Sequence, residues 1–300
     1  EIIRMASEAK PTAKLREKFQ YQNVMFAAAG EIVAAKQKTA WEKFVVERIF
    51  KPLGMKNSTM STPEMQKARD YSLGYEYNFD TKETRNLPTR DLRQIAPAGS
   101  INSSARDMAN WLRFVLSRGE ASGKRLVSEK SFEEWLKPQM KIGGRSSYGL
   151  GWFVQEWNGL KVVQHGGNID GFNSMVAMIP EKRIGFVMLT NVSGSSLGGE
   201  LMSIVWETLV EKPNAPGVQN VSAASSSAGL QKEIGKYRFE AAGFDIEIKM
   251  QDGKLAAHVP GQPVYVLEST GGRKYKLGGA PDGFSVTFKN AAPFLEQPQG

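Results

Sequence analysis

A chain of 300 residues with 41% hydrophobic and 23% charged side chains can bury a sizeable core, and it holds no apolar run near the roughly 18 residues that span a bilayer. Zero cysteines exclude disulfides, thiolate nucleophiles and zinc-thiolate sites. The net charge of +8 is interspersed with acids, as in Glu42-Lys43, Glu47-Arg48 and Glu129-Lys130, so it describes a solvated mixed surface and no nucleic-acid partner is expected.

The opening Glu1-Ile2-Ile3-Arg4-Met5-Ala6-Ser7 starts inside an amphipathic pattern with no signal-like stretch, so the numbering is expected to begin within a longer protein. From Asn23 to Lys36, apolar Val24, Ala27, Ala28, Ile32 and Ala35 recur at helical spacing. A second helix follows from Ala40 to Phe50 through Trp41, Phe44, Val45 and Ile49, and Lys51-Pro52-Leu53-Gly54-Met55 is expected to stop it, since proline donates no amide. Residues 56–104 are rich in turn formers and predict a long excursion with small strands that shapes a cleft.

A third helix starts near Ser104, capped by Ser103 or Ser104, with Asp107 at its positive end and Met108, Trp111, Leu112 and Val115 inward. A short helix is predicted from Ser131 to Lys137, and Trp111, Trp135, Trp152 and Trp206 are read as core. The period then changes to alternation. Tyr148 to Trp157 and Leu160 to His165 form one hairpin about Asn158-Gly159; Phe172 to Ile179 and Ile184 to Asn191 form another. A helix from Leu197 to Val210 covers the resulting antiparallel sheet.

Linker composition marks residues 212–229, dividing the chain into domains at 1–211 and 230–300. The second holds short alternating stretches separated by turns such as Asp252-Gly253, Pro260-Gly261 and Asp282-Gly283, which predicts a small all-β, barrel-like module. His258 lies in one of these stretches without a second histidine beside it and is read as a surface residue, so no metal is expected.

Two motifs carry chemistry. Tyr21-Gln22-Asn23 stands at the mouth of the first predicted helix, and His165-Gly166-Gly167-Asn168 continues a strand. A tyrosine there is on its own most often a packing residue; the order of the motifs along the chain selects the site reading. Residues 16–26, followed by Ala29-Gly30, together with Pro52-Leu53-Gly54-Met55, the capped helix at Ser103-Ser104 and the late His-x-Gly strand, resemble the serine β-lactamase and penicillin-binding protein superfamily. The nearest branch is the class C β-lactamase-like esterases and peptidases, and the resemblance covers roughly residues 10–210.

The resemblance implies an α/β domain, an antiparallel sheet flanked by helices with its N-terminal part missing, followed by the β module. It implies a serine hydrolase acting on a small-molecule ester, amide or peptide through an acyl-enzyme, with no cofactor. Tyr21 would be general base and acid once cations lower its pKa, and Asn23 the residue that orients lysine and substrate. His165 would polarise Tyr21 or bind a carboxylate while partly charged; histidine in place of lysine favours ester or peptide over β-lactam substrates. Gly166 and Gly167 would admit a substrate strand, and the Asn168 amide would donate to the oxyanion.

The family's first motif, Ser-x-x-Lys, is expected upstream. Ser7-Glu8-Ala9-Lys10 fits by letters but lies too close to Tyr21 and is followed by Pro11, so Ser7 is not expected to be the nucleophile and this chain alone is expected to be inactive. Without the upstream region the sheet is expected to have an unpaired edge and the chain to be poorly stable. The alternative is a catalytically silent protein that binds cell-wall or other peptides in the same cleft; a third possibility makes the β module a ligand-binding barrel. A periplasmic or secreted location follows only from the resemblance, and substrate identity and oligomeric state stay open.

Overall fold

The structure is a computed structural model that describes residues 1–78, 81–143, 146–195, 197–210, 232–239, 244–251, 253–258, 264–278, 285–289 and 292–296. The linker expected at 212–229 and the turns at Pro260-Gly261 and Asp282-Gly283 lie outside the described residues.

A short helix α1 (Ile2–Ser7) precedes α2 (Asn23–Gln37), one of whose free first-turn amides is met by Gln22: its side chain accepts from the Val24 amide at 3.0 Å. The next helix departs from expectation. It begins as α3 (Trp41–Val45), widens into a π-turn over Val46–Phe50 and runs on as α4 (Lys51–Leu53), ending at Gly54. Pro52 does not stop it, because it falls in the first turn after the π-turn, where a missing N–H breaks no bond.

The excursion holds α5 (Thr62–Met65), the hairpin β1 (Tyr75–Asn78) and β2 (Glu83–Asn86), and α6 (Ala96–Gly99). Helix α7 (Ala105–Leu116) is capped by Ser104, which accepts from the Asp107 amide at 3.3 Å. Asp107 does more than favour the helix dipole. Only 2% exposed, its carboxylate accepts from the Asn57 amide at 2.7 Å and the Ser58 hydroxyl at 2.8 Å, so it ties the start of the excursion to α7. The small hairpin β3 (Glu120–Ala121) and β4 (Lys124–Arg125), absent from the sequence expectation, leads into α8 (Glu129–Trp135).

Six antiparallel strands follow: β5 (Met140–Gly143), β6 (Ser146–Tyr148), β7 (Phe153–Trp157), β8 (Leu160–Ile169), β9 (Phe172–Ile179) and β10 (Ile184–Thr190), each beside its chain neighbour. Alternation sends successive side chains to opposite faces. Val163 and Met178 join Trp152 and the buried residues of α3, α4, α7 and α8, while Val162, Ala177 and Ile179 meet Trp206 of α9 (Leu197–Leu209). Trp152 and Trp206 are fully inside, whereas Trp111 and Trp135 are partly buried against the core. Strand β10 ends the sheet, with Leu189 exposed.

The seven remaining strands, β11 (Gly235–Phe239), β12 (Phe244–Gln251), β13 (Lys254–His258), β14 (Tyr265–Gly271), β15 (Lys274–Gly278), β16 (Ser285–Lys289) and β17 (Ala292–Glu296), form one antiparallel meander. Register places Ile248 opposite Ala257, Leu267 opposite Leu277 and Tyr275 opposite Val286, so a single face gathers the apolar residues. That face closes on itself. The rings of Tyr237 on β11 and Phe288 on β16 lie 6.0 Å apart, although five strand spacings in a flat sheet would separate them by about 24 Å. Glu233, 2% exposed, is held by a two-pronged ion pair with Arg273 at 2.8 and 2.9 Å. The sheet is therefore a strongly curled half-barrel around its own core.

Candidate active site

Because Gln22 takes an extended conformation and caps α2, the helix begins at Asn23 and Tyr21 stands immediately before it. The Tyr21 ring meets Tyr148 edge-on at 5.9 Å and lies 6.1 Å from His165. The two motifs recognised in the sequence, far apart in the chain, are thus brought together. Asn23 is exposed at the first position of α2.

The strand carrying His165 is shaped by a turn across the sheet. β6 ends at Tyr148; the chain then reverses through Gly149-Leu150-Gly151-Trp152, with the Gly149 amide donating to Trp152 O at 2.7 Å and Gly151 at φ +85°, where a side chain would be strained. β7 starts only at Phe153, opposite Gln164. From His165 to Ile169, β8 is paired with β9 on one side and has no paired strand on the β7 side among the described residues. Beyond Gln164, therefore, β8 runs past the Tyr21 ring without β7 beside it. The expected strand ended at His165; in the fold it continues through Gly166 and Gly167, paired with Met175 and Ser174, to a turn at Asp170-Gly171.

At Gly167 a Cβ would stand 2.8 Å from the Ser174 hydroxyl, so the glycine keeps this stretch slim. The Asn168 side-chain oxygen accepts from the Gly194 amide at 3.0 Å, which ties β8 to the approach of α9. The turn also anchors the excursion: Asp170 accepts from the Arg90 amide at 2.9 Å and from Arg90 Nε at 2.7 Å, and the Tyr75 amide donates to Gly171 O at 3.2 Å.

His165 lies in an aromatic setting made by Tyr21, Tyr148 and Phe153. Its Nε2 is 3.0 Å from the Tyr148 hydroxyl and its Nδ1 is 2.6 Å from Gly166 O. Burial pushes the imidazole below its ordinary 6.5, with the Gly166 carbonyl pulling weakly the other way. The partial charge expected at neutral pH is thus not what this environment favours. As pH falls, the unfolded chain takes up this proton first, so the stability contributed by neutral His165 is whole above 6.5 and lost as pH falls through the lower folded value. Urea melts at about pH 7 and about pH 5 should show a smaller acid loss for His165→Gln than for the parent.

Tyr21 is raised above 10, first by burial; the Tyr148 hydroxyl opposes this by hydrogen bonding, and neither cause is a cation. Ser7 is the last residue of α1, its hydroxyl donates to Arg4 O at 2.7 Å, and Lys10 lies beyond the helix end, so the two do not share a helical face. Tyr148 is the residue that sequence reasoning missed. Its one local signal is the position immediately before the glycine-rich turn at 149–152.

A model of the family described as Beta-lactamase matches residues 1–204. Among curated proteins, unguisins hydrolase ungD' of Aspergillus campestris is 26% identical over 199 residues, which cover 64% of this chain and 36% of that protein. Protein flp of Staphylococcus aureus strain MW2 is 26% identical over 177 residues, 59% of this chain and 34% of its own. The chain thus spans about a third of the length of these relatives. Among solved structures, the octameric penicillin-binding protein homologue from Pyrococcus abyssi superposes with a TM-score of 0.63 at 22% identity, covering 95% of this chain and 62% of that one.

Proposed function

The chain belongs to the beta-lactamase family, and from that premise we propose that it forms part of a serine hydrolase that opens an ester, amide or peptide bond through an acyl-enzyme. A hydrolase in general is what the family and a relative named as a hydrolase support. The observation that carries the finer reading is the end of the β7 pairing at Gln164, which leaves β8 paired with β9 alone at Gly166 and Gly167, beside Tyr21. An extended acyl substrate can add to that edge as a strand at Gly166 and Gly167, which would lay its carbonyl near the Asn168 amide as oxyanion donor. Tyr21 serves as base toward the serine and then as acid toward the leaving group, Asn23 orients lysine and substrate, and His165 is the polar partner behind Tyr21.

The nucleophile and its lysine come from a Ser-x-x-Lys segment outside these 300 residues. Two observations support this: Ser7 and Lys10 lack a common helical face, and Tyr21 is a phenol of raised pKa until a cation stands beside it. The same proposal divides the chain into the hydrolase domain at 1–211, a linker at 212–229 and the β module at 230–300.

A fluorophosphonate probe tests this, with the modified serine read by peptide mass spectrometry. This chain should stay unlabelled, and a form extended to include the upstream segment should be labelled on a serine of that segment. Labelling of Ser7 would place the nucleophile within the chain. Two folded, unreactive forms would overturn the hydrolase and favour a silent peptide-binding protein.

A further inference from the structure

We propose that Tyr148 is a positioning residue of this site: its hydroxyl hydrogen bonds His165 Nε2 and holds that nitrogen as a bare acceptor in the neutral imidazole. The inference rests on the assignment of Tyr21 and His165 to one site. A carbonyl oxygen only accepts, so the 2.6 Å contact between Nδ1 and Gly166 O places a hydrogen on Nδ1. A neutral imidazole carries one N–H, which leaves Nε2 with a lone pair, and across the 3.0 Å contact the Tyr148 O–H is the donor. Burial of His165 acts in the same direction, against the imidazolium.

Tyr148 is built to stay in place. It is 8% exposed, with Phe19 at 5.3 Å and Phe153 at 4.9 Å, and it ends β6 at the turn that leads into β7. Burial and the adjacent Tyr21 push its own ionisation far up, so it remains a donor while Tyr21 ionises first. Tyr148 thus packs against both residues that the sequence singles out and hydrogen bonds one of them.

The chain has only two histidines, so protein labelled with 15N-histidine gives His165 signals that a His258→Gln variant identifies. At neutral pH we expect a protonated Nδ1 and an unprotonated Nε2 displaced by an accepted hydrogen bond. In Tyr148→Phe, which keeps the ring and its packing, Nε2 should move to the position of a free acceptor while the thermal melt stays cooperative. Incorporation of 3-fluorotyrosine, which strengthens the phenol as a donor, should displace Nε2 further in the wild-type chain and decides the matter if the phenylalanine variant does not fold. A protonated Nε2 in the parent, or an Nε2 signal indifferent to both changes, would overturn the proposal. These signals need no nucleophile, so an unreactive serine probe with the expected spectra would remove the hydrolase and leave the Tyr148–His165 bond standing.

Discussion

Replacing Tyr21 by phenylalanine, in a form of the protein that carries the serine nucleophile, should lower kcat by about 10²–10⁴-fold with little change in KM. Phenylalanine keeps the ring contacts with Tyr148 and His165 and removes only the oxygen that would exchange a proton with the serine and the leaving group. Tyr21 is 47% exposed, so loss of its hydroxyl leaves no buried partner unsatisfied and the melting temperature should hardly move. Steady-state kinetics on an activated ester, run beside a thermal melt, separates the outcomes. An unchanged kcat would remove Tyr21 from the chemistry; a large rise in KM alone would make it a binding residue. The size of the expected effect follows from the electrostatics. As it stands in this chain the phenol is raised above 10, so its use as a base requires a nearby cation, and the serine and lysine of one upstream segment would supply nucleophile and cation together.

The largest effect on stability is expected at Gly171. It occupies the left-handed region at φ +86°, and a Cβ there would fall 2.3 Å from Gly74 C and from Tyr75 N, both backbone atoms that cannot swing aside. Gly171→Ala should therefore cost more than about 3 kcal/mol, combining left-handed strain with backbone overlap. Gly159→Ala is the matched control. Its φ is +78° but nothing lies within 4 Å, so only the strain of about 1 kcal/mol remains. Urea midpoints of the two variants measure the difference. Equal losses would mean that the 74–75 segment moves away freely, and the anchoring of the excursion at the Asp170-Gly171 turn would then be weak.

How far each element could be read beforehand depended on whether its cause is local. α2, α7 and α9 announce themselves by apolar residues at helical spacing, and β7, β9 and β10 by alternation, because in each the pattern that forms the element also buries it. The second half of β8 does not: Gly166 and Gly167 have no intrinsic strand preference, and only pairing with Met175 and Ser174 makes them one. The π-turn over Val46–Phe50 was equally hidden, since a proline reads as a stop unless the helical register is known to shift ahead of it. Asp107 was placed correctly at a helix start, while its hold on Asn57 and Ser58 depends on a loop fifty residues back in the chain folding over it.

The sequence by itself determined the family, the helical and antiparallel character of the residues before the linker composition, the all-β, barrel-like character of those after it and the pair of motifs at Tyr21 and His165, because residue order and periodicity are local properties. Tertiary structure decided the rest. It set Tyr21 beside His165, ended the β7 pairing at Gln164, placed the Tyr148 hydroxyl on Nε2, and gave an imidazole expected to be partly charged a burial that disfavours the charge. Proton affinity and accessible backbone are set by what surrounds a group in space, and those surroundings are drawn from strands and loops distant in the chain.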